Sequence, residues 1–405
     1  MQSGNAETPR AKEVRALVGR WLCVFTVCVC ASSALADRLV TLDGQAVESD
    51  ITSINAAGQV MFSGDNDAVD LQALRRIERN VAKQNVSKTI TVYLSTGGSI
   101  LADTIGLNED AFAIRWTYGQ QNLSIDAVRA LRLMPALESP AGFERAIEGE
   151  SEKDRLFVLS GKKLLPVSGV LYEINDKDVV FEYQGKQRTV AVSKVYGIVL
   201  ASAGQSPDYI GKCKLTMADS SAIWGTVTKL DNGQIHLTLS EGIDLTLPWS
   251  AVHRIEVRSD RMVFLSDLDP TKVKQKATIT YPWPWQRDRS VFSKPLTMKK
   301  RVYERGIGMH ATCNLSFTNN RKFAVFAATI GIDDETKGRG DCVFRVLGDG
   351  RELFSRRMKG GDNPVELQLK IHDINVVTLV ADHGEGFDLA DHANWCDARF
   401  IREGQ

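Results

Sequence analysis

Four stretches of this chain alternate apolar and polar residues with a period of two, and each ends in the same short phrase. The alternation is plainest after residue 222. Ile223 to Leu230 runs to a turn at Asp231-Asn232-Gly233, Ile235 to Leu239 to a second turn at Ser240-Glu241-Gly242, and Ile243 to Leu247 follows. Period-two alternation broken by Asn-Gly or Glu-Gly predicts consecutive hairpins. The closing phrase places an apolar residue ahead of an apolar pair spaced three apart. It reads Leu71, Leu74, Ile77; then Ile125, Val128, Leu131; then Val192, Val195, Ile198; then Trp249, Val252, Ile255. A phrase that recurs roughly every sixty residues marks a structural repeat. The pattern predicts four meanders of four or five short strands, at 37–80, 86–135, 154–201 and 210–258. Small SH3-like or Sm-like barrels have this size. A unit so small has a thin core, so the copies are expected to pack in pairs or on one another. Between the second and third, at 136–153, Phe143 to Glu150 is charged and helix-prone, which suits a short linking helix.

From Met262 the pattern changes. Trp283-Pro284-Trp285 and a basic stretch from Lys294 to Arg305 lead into a new run of strands. Val343 to Leu347 alternates and meets Asp349-Gly350, a strong hairpin signal. Val365 to Leu369 and Val376 to Val380 read as further strands, and no helical period is sustained. Several phrases here, taken in order, resemble one family. They are Tyr303 to Ala311, with Gly306, Gly308 and His310; Phe326 to Glu335, ending Ile332-Asp333-Asp334-Glu335; Val343 to Leu353; and Asp391-His392-Ala393-Asn394-Trp395-Cys396-Asp397, with a lead-in at Phe264 to Leu268. Together they make residues 262–403 similar to the NPCBM type of carbohydrate-binding module. That resemblance implies a jelly-roll sandwich like the galactose-binding domains. The expected fold is therefore all-β: tandem SH3/Sm-like meanders followed by a C-terminal jelly-roll β-sandwich.

The start of the chain changes the picture of where the protein works. Arg10, Lys12, Arg15 and Arg20 precede an apolar run from Trp21 to Ala31, and Ala34-Leu35-Ala36 supplies small residues before Asp37. This is the pattern of a signal peptide over residues 1–36. The alternative, a membrane anchor, is opposed by the shortness of the run. The expected location is secreted or periplasmic, with no membrane span after cleavage. Lys and Arg total 50, as do Asp and Glu, so no charge excess points to nucleic acid. Cys213, Cys313, Cys342 and Cys396 lie beyond the signal and show no C-x-x-C spacing. Three disulfide pairings are open to them, as is a set of free buried thiols.

Chemistry concentrates in the last loops. A sugar needs an aromatic ring for its C–H face and carboxylates, amides or imidazoles for its hydroxyls. The stretch from Asp382 to Trp395 offers His383, Asp391, His392, Asn394 and Trp395, and the loop after Ile332 offers Asp333 and Asp334. These seven are the candidate ligand-binding residues. Five of them have a second reading: Trp395 as a core residue, Asp391 and His392 as partners of loop backbone, Asp333 and Asp334 as turn formers or as ligands of a structural calcium. No cofactor is otherwise indicated, and no H-E-x-x-H motif suggests catalytic zinc.

The function expected is a secreted, non-catalytic protein that binds a glycan or polysaccharide, with the repeats as spacer or platform. An envelope protein partner for an adaptor is the alternative, and an accessory part of a glycoside hydrolase system a second. An enzyme is not expected: a glycosidase needs two carboxylates at a cleft, and the repeats leave no room for a barrel of about 250 residues.

Overall fold

The computed structural model describes residues 36–402 apart from 65–67, 85–89, 109–110, 137–140, 162, 203–207, 277 and 280. The segment read as a signal peptide lies outside the described residues except for Ala36. The all-β expectation holds. The first barrel comprises β1 (Arg38–Thr41), β2 (Ala46–Glu48), β3 (Ile51–Ile54), β4 (Gln59–Phe62), β5 (Val69–Asp70) and β6 (Leu74–Glu78). The second holds β7 (Ile90–Leu94), β8 (Gly98–Asn108), β9 (Ala111–Trp116), β10 (Gly119–Ser124) and β11 (Val128–Arg132). The third holds β12 (Asp154–Ser160), β13 (Lys163–Ile174), β14 (Asp178–Tyr183), β15 (Lys186–Ala191) and β16 (Val195–Val199). The fourth holds β17 (Cys213–Met217), β18 (Ala222–Asp231), β19 (Gln234–Thr238), β20 (Asp244–Pro248) and β21 (Val252–Val257).

The recurring phrase closes each barrel. Its first apolar residue opens a single 3-10 turn, and the last strand then pairs back onto the first. Apolar residues three apart would face opposite sides of a regular strand. In all four copies, however, the register slips by one residue at this place, between the pairs that flank Arg75, Arg129, Tyr196 and His253. The slip returns the residue three positions on to the inner face. Leu74 with Ile77, Val128 with Leu131, Val195 with Ile198 and Val252 with Ile255 are accordingly all buried. Asn232-Gly233 and Gln184-Gly185, with positive φ at both residues, make the tight hairpin turns.

The barrels pair through these closing strands. β6 runs antiparallel to β21, with Ile77 opposite Ile255, and β11 runs antiparallel to β16, with Leu131 opposite Ile198. The first barrel is thus joined to the fourth and the second to the third. Helix α1 (Ala141–Glu148) lies over the second seam. Its Phe143 is buried edge-on against Phe157 and Tyr196, each with ring centres 5.2 Å away. The approach is possible because Gly197 has no side chain: a Cβ there would lie 2.5 Å from the Leu131 carbonyl and 2.6 Å from the Phe143 ring. Arg129, the slipped residue of β11, donates to the carbonyls of Ile147 (2.8 Å) and Ala146 (3.0 Å) at the helix C-terminus.

The last domain is a sandwich. One sheet runs β24 (Gln286–Arg287), β27 (Gly306–His310), β34 (His392–Ile401), β29 (Val325–Ile332), β32 (Val365–Lys370), with β22 (Met262–Phe264) also on β34. The other runs β23 (Lys272–Gln275), β28 (Cys313–Thr318), β33 (Val376–His383), β30 (Asp341–Gly348), β31 (Arg351–Lys359). A hairpin, β25 (Leu296–Met298) and β26 (Arg301–Tyr303), stands beside them. Phe317, Phe326, Phe344, Phe400 and Trp395 fill the space between the sheets. The outer face of the first sheet rests on the first barrel. Leu42 packs with Met262, Phe264, Ala327 and Ile401, and the buried Arg399 donates from Nε to the Leu42 carbonyl at 2.7 Å. Burial, then the nearby charge of Arg75, lowers the Arg399 guanidinium to about 10. The four described cysteines are free and buried, and burial pushes the Cys213 and Cys313 thiols up to about 12. Among the described residues no helix is long and apolar enough to cross a membrane.

Candidate functional site

The stretch expected to form one long loop is strand at both of its ends. Asp382 and His383 end β33, and His392, Asn394 and Trp395 begin β34, which leaves 384–391 as the loop between them. Alternation then decides which way each residue faces. Trp395 is 0% exposed and packs at 5.3 Å against Phe344, so it is a core residue with no ring face for a ligand. Asn394, equally buried, donates to Asp333 at 2.6 Å.

Asp333 and Asp334 build the neighbouring loop. Asp333 Oδ1 accepts from the Glu335 amide at 2.8 Å and Oδ2 from the Thr297 amide at 3.0 Å. Burial raises its carboxyl above the usual range although these bonds and that of Asn394 oppose the rise. Asp334 accepts from the amides of Lys299 (3.0 Å) and Lys300 (2.7 Å), two non-glycine residues held at positive φ. Such a turn is unfavourable by itself, and the carboxylate secures it. Both acids are thus engaged by backbone, and no cluster of three or more His, Cys, Asp or Glu suited to a metal occurs among the described residues. His383 bonds its own loop, with Nδ1 3.1 Å from the Gly384 carbonyl. Asp391 is 1% exposed; Oδ1 accepts from the Asp341 amide at 2.7 Å and Oδ2 has no partner among the described residues. Its carboxyl is raised to about 7, first by burial and further by the charge of Asp341.

Of the expected residues, His392 alone leads to the surface through aromatic neighbours. Its Nδ1 lies 2.7 Å from Glu335 Oε1, both side chains being buried, and Ser290 Oγ donates to Glu335 Oε2 at 2.8 Å. Burial would raise the Glu335 carboxyl, but the bonds from His392 and Ser290 outweigh it and hold it below the usual range. His310, opposite His392 across β27 and β34, has its ring 5.6 Å away; burial and then the His392 charge lower its pKa. On the other side Phe292 stands edge-on to His392 at 4.6 Å, Trp283 to Phe292 at 5.1 Å, and Tyr281 to Trp283 at 5.7 Å. These three rings are exposed, Trp283 at 37% and Phe292 at 44%. Buried Asp388 fixes the segment before them by accepting from the amides of Thr278 (2.8 Å) and Ile279 (3.1 Å). The result is a row of exposed aromatic rings, edge to face, that ends on a hydrogen-bonded imidazole and carboxylate.

Tyr281, Trp283 and Phe292 were not among the candidates that the sequence suggested. The signal lay in Tyr281-Pro282-Trp283-Pro284-Trp285 itself. Alternate prolines cannot donate to a ladder, which keeps the stretch out of a central strand and its aromatics near the surface.

Comparison with known proteins bears on this end of the chain. The family model of the NPCBM/NEW2 domain matches residues 261–401. A protein of Renibacterium salmoninarum, named as a candidate endo-alpha-N-acetylgalactosaminidase, is 32% identical over 113 residues, covering 26% of this chain and 7% of its own length. This chain therefore spans only a small part of that relative. Among solved structures, CBM51 from Clostridium perfringens GH95, in complex with methyl-galactose, is 22% identical, covers 35% of this chain and 99% of its own, and has a TM-score of 0.32. The tandem CBM51 modules of a family 98 glycoside hydrolase from Streptococcus pneumoniae are 14% identical, cover 78% and 89%, and have a TM-score of 0.31. Residues 261–401 are accordingly an NPCBM/NEW2 domain, carried at the C-terminal end of a chain whose four small barrels lie outside the match.

Proposed function

We propose that this chain is a secreted or periplasmic, non-catalytic glycan-binding protein, with its sugar site at the aromatic row Tyr281, Trp283, Phe292 and the His392–Glu335 pair. The carrying observation is the exposure of three successive aromatic rings beside a buried, hydrogen-bonded imidazole and carboxylate. An open ring is suited to the C–H face of a pyranose, and the pair to fixing a hydroxyl. The domain family supports a carbohydrate partner. Asp391, Asn394, Asp333 and Asp334 then act behind this surface, holding the loops rather than the sugar. In this reading the barrels present the sandwich, as spacer or platform. The glycosidase name of the Renibacterium salmoninarum relative favours a second reading, in which the chain is an accessory to a glycoside hydrolase system.

A glycan-array screen of the full chain tests the proposal, followed by calorimetric titration of the best binder. Trp283→Ala and Phe292→Ala remove exposed rings and leave the fold intact. Each is expected to weaken binding by roughly three- to tenfold, from the worth of one aromatic contact. A folded protein that stays silent across the array would overturn the glycan reading, and unchanged affinity in both variants would overturn the site.

A further inference from the structure

A cavity of about 260 Å³ lies where the first and fourth barrels meet the sandwich. Its lining is crowded with guanidinium groups: Arg38, Arg75 and Arg76 from the first barrel, Arg254 and Arg258 from the fourth, Arg301 and Arg305 from the sandwich. Four carboxylates face these seven cations, and they are shared out thinly. Glu78 serves both Arg38 (3.1 Å) and Arg76 (2.9 Å), Asp397 serves Arg75 (2.8 Å), and Glu256 and Glu304 both go to Arg254. Arg258 and Arg305 turn to Asp267, and Arg305 also to Asp288 at 2.9 Å, both outside the lining; seven guanidinium groups thus share six carboxylates. Arg301 has no carboxylate partner among the described residues and lies against the Tyr303 ring at 4.8 Å.

Donors therefore exceed acceptors, and some of the surplus is buried. The Nε–H groups of Arg75 and Arg305 have no acceptor among the described residues, and Arg75 is only 9% exposed. A charged donor out of water without an acceptor is unfavourable, and crowding like charges in a half-closed space adds to the cost. An anion that entered would relieve both at once. The guanidinium fork of Arg301, free of a carboxylate, matches a carboxylate or sulfate in two parallel bonds.

We propose that this cleft binds a small oxyanion-bearing molecule, a carboxylate or a sulfate, held by Arg301 with Arg75 and Arg305 behind it. The volume suits an acid no larger than a monosaccharide. The cleft lies on the outer face of the sheet, among Asp397 and Arg301, and shares no residue with the aromatic row, so the proposal does not depend on the sugar site.

The test is isothermal titration of the full chain with sodium sulfate, sodium glucuronate and glucose, at constant ionic strength balanced with chloride. Sulfate or glucuronate is expected to give saturable binding and glucose none at this site. Sulfate binding as tightly as glucuronate identifies a free oxyanion as the ligand; tighter glucuronate identifies an acidic sugar. Arg301→Gln, at an exposed position without an ion pair, is expected to weaken binding by roughly fivefold or more, the loss of charge-assisted bonds. Trp283→Ala, which alters only the aromatic row, should leave sulfate binding unchanged. Absence of saturable binding by either anion, or an Arg301→Gln protein that binds like the wild type, would overturn the proposal.

Discussion

Replacing Asp391 by Asn should stabilise the protein, and increasingly so as pH rises. The carboxyl is 1% exposed, keeps one oxygen without a partner among the described residues, and is raised from its ordinary 3.8 to about 7. The raised value means that the fold favours the protonated form. Asp391 therefore leaves stability undiminished below about pH 4, where both states are protonated, and subtracts from it as pH rises toward 7. The difference between the two values corresponds to about 4 kcal/mol, reached at about 1.4 kcal/mol per pH unit. Asn has the same shape and keeps the acceptor for the Asp341 amide, but carries no charge to bury. Scanning calorimetry of the wild type and Asp391→Asn at intervals from pH 4 to 8 gives the measurement. The melting temperature of the sandwich transition is expected to coincide for the two proteins near pH 4. By pH 8 the variant should lie about 10 °C higher, at about 3 °C per kcal/mol for a domain of this size. A variant that melts lower at pH 8, or an offset that does not change with pH, would refute the reasoning.

Gly197→Ala is expected to weaken the seam between the second and third barrels by about 1–3 kcal/mol, since its Cβ would displace the Leu131 carbonyl and the Phe143 ring; faster proteolysis around α1 would report it. Trp395→Ala should cost the sandwich about 3–5 kcal/mol by emptying the centre of its core, a loss read by denaturant unfolding, whereas an exposed sugar-stacking residue would lose binding and keep its stability.

The barrels were legible because a local period carries them. Alternation and Asn-Gly turns are short-range signals, and the recurring phrase marked each closing strand even though its spacing of three fits neither a regular strand nor a regular helix. What reconciled that spacing was the register slip at Arg75, Arg129, Tyr196 and His253, which depends on the partner strand and cannot be read from one strand. The candidate site was legible in part. His392 stood in a motif, but Trp395 shared that motif and faces the core, because one strand sends its residues alternately to two sides. Asp333 and Asp334 looked like ligands by composition, and their partners, the amides of Thr297, Lys299 and Lys300, lie some thirty-five residues earlier in the chain. The aromatic row joins Tyr281 and Trp283 to His392 through a fold of the whole sandwich, beyond the reach of any local pattern.

The pairing of β6 with β21 and of β11 with β16 is nested: the first barrel's partner is the last barrel to be made. During synthesis, β6 therefore presents an unsatisfied row of backbone donors and acceptors while the whole second pair emerges and closes. Such an edge is a template for the wrong strand, and closing it spans most of the array, which slows the step that removes the hazard. The inner pair and its helix can mature early; the outer pair sets the pace, and the sandwich, which rests on the first barrel, comes last. Crowding of nascent chains should then act on the outer pair before any other part of the molecule.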